Sequence, residues 1–198
     1  MHGMNTSNEL LEETTALDIL IYPDKRLGRA AKHVLNVDDG VREFADSMFA
    51  TIGNRSGIGL AATQVGDDRR IIVIDCPELD VDKEQFQGKV DTHGRFTLIN
   101  PMIVHREGRV HWRESCLSVP FTEAEVERDM IVHVSALDTA GKDIELRVGG
   151  LLSACIQHEI DHLNGKLFID RLSRLRRDIA TKKIKKKIKQ IRRMWQNS

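Results

Sequence analysis

The stretch GLLSACIQHEIDHLNG, residues 150–165, has the pattern of a helix that carries chemistry. The pair Gly149-Gly150 breaks the strand-like run before it. From Leu151 to Leu163 apolar residues recur every three or four positions, which predicts a helix that Asn164-Gly165 ends. This helix holds His158-Glu159-Ile160-Asp161-His162, the strongest chemical signal in the chain.

The motif His158-Glu159-Ile160-Asp161-His162 predicts a metal site. Residues four apart lie on one face of a helix, so the two imidazoles can bind one divalent metal. The glutamate after the first histidine can reach a water on that metal, whose pKa the metal lowers toward ~7. Two surface histidines would also match so short a pattern, so a third ligand is needed to identify the class.

The third ligand stays open on spacing alone. No glutamate follows Glu159, so a downstream glutamate ligand is excluded. The pattern H-E-x-x-H-x-x-G-x-x-H breaks because Phe168 occupies its last position. The remaining candidates are Cys76, Cys116, Cys155 and the other histidines. Two histidines and one cysteine would leave a fourth tetrahedral position for water, as a catalytic site requires.

The other segments predict one helix, several strands and a basic tail. A helix is expected over residues 38–52 and a surface loop or insertion over 78–95. The strand-like runs are residues 70–75, 96–99, 102–105, 109–113, 126–137 and 144–148. Because strands and helices do not alternate, the predicted class is α+β, with mostly antiparallel sheets around a central metal-binding helix and a C-terminal basic helix.

The formal net charge of zero conceals two opposed regions. Residues 171–198 hold 12 Lys and Arg and one acid, so this tail carries +11 and residues 1–170 carry −11. The last predicted helix, from residue 172 or 173 to about 196, has a stripe of Ala180, Ile184, Ile188, Ile191 and Trp195 within a cationic surface. Such a helix can bind an anionic membrane, a calmodulin-like groove or RNA. Its apolar stripe could instead pack on the rest of the chain or on a second copy of the protein.

Length and composition limit the compartment. The 198 residues suit one domain with an appendage, and no apolar run approaches the ~18 residues of a membrane span. Residues 1–16 are polar and acidic, unlike a signal peptide. Three cysteines cannot all pair and fit a reducing compartment, so a cytoplasmic location is expected.

Three motifs occur in a fixed order: GIGLAATQ at 57–64, ESCLS at 114–118 and QHEIDH at 157–162. Together they resemble the signature motifs of the peptide deformylase family, over roughly residues 18–175. The glycine-rich motif taken alone is typical of a plain turn. A phosphate-binding loop is less well supported, because the Gly-Lys-Ser/Thr ending of such loops does not follow the motif. The resemblance suggests a polar extension at 1–17, a catalytic domain at 18–172 and a basic helix at 173–198.

The resemblance implies a metal-dependent hydrolase that removes the N-formyl group from the formyl-methionine of nascent polypeptides. It implies Cys116, His158 and His162 as ligands of one divalent metal, natively Fe(II), with Ni, Co or Zn able to replace it. It implies Glu159 as general acid and base. The basic helix would then dock on ribosomal RNA near the peptide exit.

The resemblance also assigns the groups around the scissile bond. The Gln64 side-chain amide and the Leu117 backbone N–H would donate to the oxyanion. The peptide would pair with Ile58 and Gly59 as an added strand, close to Ser115.

Two positions depart from the family pattern. Ser115 stands in place of a glycine, and Glu123 stands where many members have an arginine. Neither is a ligand or the acid–base residue, so we expect hydrolysis with altered efficiency. Two alternatives remain: a zincin-like metallopeptidase or amidase, and a catalytically impaired, ribosome-associated paralogue.

Overall fold

The computed structural model describes residues 15–53, 57–76 and 94–196. The expected loop at 78–95 and the expected extension at 1–17 therefore lie almost wholly outside the described residues. The helices and strands of the described ranges are, in chain order, α1 (Asp39–Gly53), β1 (Gly59–Ala61), β2 (Ile71–Asp75), β3 (Arg95–Glu107), β4 (Val110–Cys116), β5 (Val119–Arg128), β6 (Ile131–Leu137), β7 (Asp143–Gly149), α2 (Gly150–Leu163) and α3 (Arg174–Gln196).

The predicted α+β class is confirmed. Five strands form one antiparallel sheet in the order β1-β2-β3-β6-β7, and β4 and β5 form a separate two-stranded ribbon. The three-residue strand β1 lies at an edge of the large sheet, so its outer side is not covered by another strand of that sheet. Edge strands of this kind can accept an added strand.

The strand boundaries differ from the prediction in two places. The runs 96–99 and 102–105 are one strand, because Pro101 sits in a bulge where the pairing with β6 shifts register. The run 126–137 is two strands, because the chain turns between Arg128 and Ile131. The side chain of Gln157 holds this turn against α2 through Asp129, a long-range contact that local propensity does not show.

The large sheet is covered on its two faces by different helices. Successive side chains of a strand point to opposite faces. In β2, Ile72 and Ile74 therefore join the core beneath α2, whereas Ile71 and Val73 join the core beneath α1. The cationic helix α3 packs instead on the ribbon side, where Ala180 and the fully buried Ile184 join a third cluster.

Two contacts set the position of α2. The Gln157 amide donates to the Asp129 carbonyl and accepts from the Asp129 N–H, both at 2.9 Å. Gly165 follows the helix with φ +67°, and a Cβ there would lie 2.6 Å from the Gly28 carbonyl oxygen. Glycine is needed at this position both for the left-handed backbone and for the close approach.

The apolar stripe of α3 is only partly free. Ala180 and Ile184 are buried against the ribbon and Ile188 packs beside them, whereas Ile191 is 36% exposed. The option that the stripe packs on the body is thus realised over its first half. Within the described ranges, none of the helices combines the length and apolarity that a membrane crossing demands.

Candidate active site

The described residues bring Cys116, His158 and His162 together. Cys116 is the last residue of β4, and its Sγ lies 3.2 Å from the His162 Nε2. The His162 Nε2 is also 3.2 Å from the His158 Nε2. All three donor atoms lie within 4.8 Å of one another. Of the three cysteines, Cys116 is the one whose sulfur joins the two imidazoles, whereas Cys76 and Cys155 are buried in the core between the sheet and α2.

His158 is oriented by a carboxylate. Its Nδ1 lies 2.8 Å from an Oε of Glu114, so the carboxylate accepts the Nδ1–H and the Nε2 lone pair faces the other donors. Burial favours a raised pKa for Glu114, yet the hydrogen bonds from Arg128 and His158 outweigh it and lower the pKa to about 2. The group is therefore a permanent anion at neutral pH.

Arg128 joins this carboxylate to the metal-site helix. Its side chain is fully buried and donates to both oxygens of Glu114, at 2.6 and 2.9 Å, and to Asp161 at 2.6 Å. Arg171 also donates to Asp161. Asp161 is therefore a buried carboxylate held by two arginines, and Arg128 pairs with both Asp161 and Glu114.

Glu159 lies at the inner wall of the cleft. The residue is 4% exposed, and its Oε2 is buried with no hydrogen-bond partner among the described residues. Burial raises the pKa of this carboxyl to about 7. Its neighbour Gly59 leaves no room for a side chain, since a Cβ there would lie 2.7 Å from the Glu159 Oε1.

Gln64 has a fixed amide orientation. Its Oε1 accepts the Ala61 N–H at 2.8 Å, which turns the Nε2 toward Ser118 Oγ at 3.2 Å and Cys116 Sγ at 3.6 Å. The amide N–H groups thus point at the cluster of donor atoms. Leu117 follows directly after Cys116, in the turn between β4 and β5, and lines the same cleft.

These groups line one cleft of about 300 Å³. Its walls are the edge strand β1, the end of β4 and one face of α2; of the residues predicted from sequence, it is lined by Ile58, Gly59, Gln64, Ser115, Cys116, Leu117, His158 and Glu159. His162 lies behind the cleft and is 1% exposed. Burial lowers the pKa of His162 well below its usual range, which keeps this imidazole neutral.

Ser115 and Glu123 change the rim rather than the interior. Of the described non-glycine residues, Asn100 and Phe121 have positive φ, so the backbone at Ser115 is one that any side chain adopts. Glu123 is exposed and forms an ion pair with Arg113, a cleft residue that is also exposed. The carboxylate therefore neutralises a cation at the rim.

Arg128 links Glu114 and Asp161 in a way that its local sequence does not show. Nothing in its local pattern predicts a fully buried arginine, since it ends an otherwise ordinary strand. The one available signal is the presence of acids near the predicted ligands: Glu114 lies two residues before Cys116, and Asp161 lies directly before His162. Two buried carboxylates require a shared cation.

Comparison with known proteins agrees with this geometry. A family model described as polypeptide deformylase matches residues 16–178. The peptide deformylase of Alkalilimnicola ehrlichii is 44% identical over 174 residues, covering 88% of this chain and 92% of the relative.

Solved structures agree as well. A peptide deformylase from Legionella pneumophila superposes with a TM-score of 0.79 at 39% identity, covering 90% of this chain and 98% of that one. A peptide deformylase from Ehrlichia chaffeensis in complex with actinonin gives 0.77 at 39% identity, covering 87% and 98%. With a family model over most of its length and relatives at this identity, the chain belongs to the polypeptide deformylase family.

Proposed function

We propose that this cleft hydrolyses the N-formyl group of formyl-methionyl peptides, with Cys116, His158 and His162 binding the metal and Glu159 moving the proton. The activity itself follows from the family: the chain is a peptide deformylase, a metal-dependent hydrolase. The observation that supports the residue assignment is the convergence of three donor atoms and of the buried Glu159 Oε2, which has no hydrogen-bond partner within residues 15–53, 57–76 and 94–196.

The donor set fits a divalent metal. One thiolate and two imidazoles, one of them oriented by a carboxylate, suit Fe(II) and Zn(II) alike. A metal there would supply Lewis acidity toward the formyl carbonyl and toward water. We propose Fe(II) as the native ion, as the resemblance implies, with Ni, Co and Zn as functional or structural substitutes.

Glu159 is placed to act as general base and then general acid. Its Oε2 has no hydrogen-bond partner in the described part of the chain, and the carboxyl lies beside the proposed ligand His158 on the cleft side. It would take a proton from the attacking water and return it to the amine nitrogen as the formyl C–N bond breaks, releasing formate. Proton transfer by a positioned side chain contributes about 10²–10⁴-fold in rate.

Gln64 and Leu117 would stabilise the developing oxyanion. The Gln64 Nε2 is held toward the metal ligands because its Oε1 is occupied by the Ala61 N–H. A donor oriented before the reaction needs no reorganisation in the transition state, and loss of one such donor costs about 10²–10³ in kcat.

The peptide would add as a strand to β1. The Ile58 carbonyl accepts from the Asp75 N–H, so antiparallel alternation turns the N–H and C=O of Gly59 to the outer edge. Main-chain hydrogen bonds at this edge do not depend on the side chains of the peptide, so peptides of any sequence can pair there. Ser115 lines the same cleft.

A test is formate release under anaerobic conditions, measured together with metal content. The Fe- or Ni-loaded protein should release formate from a formyl-Met peptide and leave an unformylated or acetylated peptide intact. Glu159→Gln should keep its metal and lose turnover. A metal-loaded protein that cleaves unformylated peptides, or releases no formate, would overturn the proposal.

We also propose that the protein is cytoplasmic and that α3 binds ribosomal RNA. The helix packs on the ribbon with Ile184 and leaves its Lys and Arg faces exposed. The odd and low cysteine count, three in 198 residues, suits a reducing compartment. Replacing Lys185, Lys186 and Lys189, which are exposed, by Gln should weaken ribosome co-sedimentation and reduce its salt dependence, with peptide turnover unchanged. Salt-insensitive binding, or binding that survives the substitution, would contradict this.

A further inference from the structure

The face of the large sheet opposite α2 carries a second cluster of metal-binding side chains. His105 of β3, His133 of β6 and Arg147 of β7 lie directly opposite one another across three neighbouring strands. Val132 and Val134, on either side of His133, belong to the core beneath α2, so the His133 side chain points away from the active site. Glu107 lies two residues after His105 on the same strand.

The donor atoms of this cluster are already close. The His133 Nε2 lies 2.8 Å from the Glu107 Oε1, and the rings of His105 and His133 meet edge to face with centroids 5.0 Å apart. One donor atom from each of the three residues lies within 4.8 Å of the others. The side chains of His133 and Glu107 are 35% and 37% exposed, so an ion can enter from solvent.

We propose that His105, Glu107 and His133 form a second site for a divalent transition-metal ion, represented by Zn²⁺. Two imidazole nitrogens and one carboxylate oxygen are the donor set that proteins use for zinc with one position left to solvent. The site spans β3 and β6, so an occupant links the ends of two strands by three side chains. It shares no residue with the cleft of Cys116, His158 and His162.

Arg147 lies beside this site and is expected to weaken metal binding there, which a substitution can test. Its guanidinium donates to the Glu107 Oε1 at 3.3 Å and to Oε2 at 3.1 Å. Hydrogen bonds from His133 and Arg147 hold the pKa of Glu107 below its usual range, so the carboxylate is ionised and able to ligate. The same cation repels a second cation and competes for the carboxylate, so its removal should strengthen metal binding.

The experiment is equilibrium dialysis of the Zn-loaded enzyme against Zn²⁺. Because the active site is filled with zinc beforehand, exchange at that site does not change the zinc content. Any additional zinc bound per chain is therefore bound at a second site. We expect two zinc ions per chain.

Four variants separate this site from adventitious binding. His105→Asn and His133→Asn should each weaken the second zinc by about tenfold or more, Arg147→Gln should tighten it, and His111→Asn, at an exposed histidine of β4, should leave it unchanged. Circular dichroism and formate release report that each variant is folded and that the first site is intact. The proposal is overturned by a single zinc per chain, by a second zinc that survives His105→Asn and His133→Asn, or by equal loss in His111→Asn.

Discussion

The Nδ1 of His158 lies 2.8 Å from a carboxylate oxygen of Glu114, a residue 44 positions earlier and on a different element. This contact fixes which ring nitrogen carries the proton and turns the other toward Cys116 and His162. The orientation of the proposed ligand His158 therefore depends on a residue outside the proposed ligand set.

Glu114→Gln should weaken metal binding. An amide keeps a hydrogen bond to the imidazole but loses the charge that makes His158 a better donor. Loss of such a supporting partner typically costs 10–100-fold in metal affinity. Competition with a chelator measures the affinity directly. Glu125→Gln, at an exposed position of the neighbouring strand, is the matched control; an affinity equal to that of the control would contradict the role.

Arg128→Met should destabilise the protein strongly. It leaves the buried Glu114 and Asp161 without the cation between them, and breaking a buried pair from one side costs about 3–5 kcal/mol. Urea unfolding measures the free energy of unfolding. Arg113→Met removes an exposed ion pair with Glu123, which solvent screens, and should change the free energy of unfolding far less. Similar losses in both variants would show that burial of Arg128 is unimportant.

Gly59→Ala should lower kcat while leaving the fold intact. The new Cβ would lie 2.7 Å from the Glu159 Oε1 and 2.8 Å from the Cys155 Sγ, so the carboxylate must move. Displacing an acid–base group by about 1 Å can cost on the order of 10²-fold. Steady-state kinetics with a formyl-Met peptide tests this. Gly53→Ala meets no atom within 4 Å and serves as the control; unchanged kcat in Gly59→Ala would refute the crowding argument.

Ser115→Gly should act on KM more than on kcat. The Ser115 side chain is exposed at the cleft wall, and its backbone does not require glycine. Removing the side chain frees space for the peptide without touching the metal ligands or Glu159. We expect a KM reduced by less than about tenfold, which corresponds to under ~1.4 kcal/mol. An equal fall in kcat would instead indicate that Ser115 positions a reacting group.

Glu123→Gln should improve binding of peptides with acidic residues after the methionine. The substitution removes the charge that neutralises Arg113 at the cleft rim. The freed guanidinium would then attract a carboxylate on the substrate, more strongly at low salt. Comparing KM for acidic and neutral formyl-Met peptides at two salt concentrations measures this. If the two peptides respond alike, Arg113 does not read the substrate.

Much of the molecule follows from local sequence. The helix α2, its end at Asn164-Gly165, the α+β class and the pair His158 and His162 are consequences of periodicity and of the i, i+4 geometry of a helix. The predicted boundaries of β3 were wrong because a β-bulge accommodates Pro101 within the strand. Strand limits depend on a partner strand, and local patterns do not contain it.

The sequence by itself determined which residues could do chemistry, because motif spacing on one helix is a local property. Only the tertiary structure decided which cysteine joins the two histidines, that Arg128 is buried between Glu114 and Asp161, and that His105 and His133 are neighbours. Each of these is a contact between distant segments. Such contacts are set by sheet register and by the packing of α2 on the sheet, which no single stretch of the chain specifies.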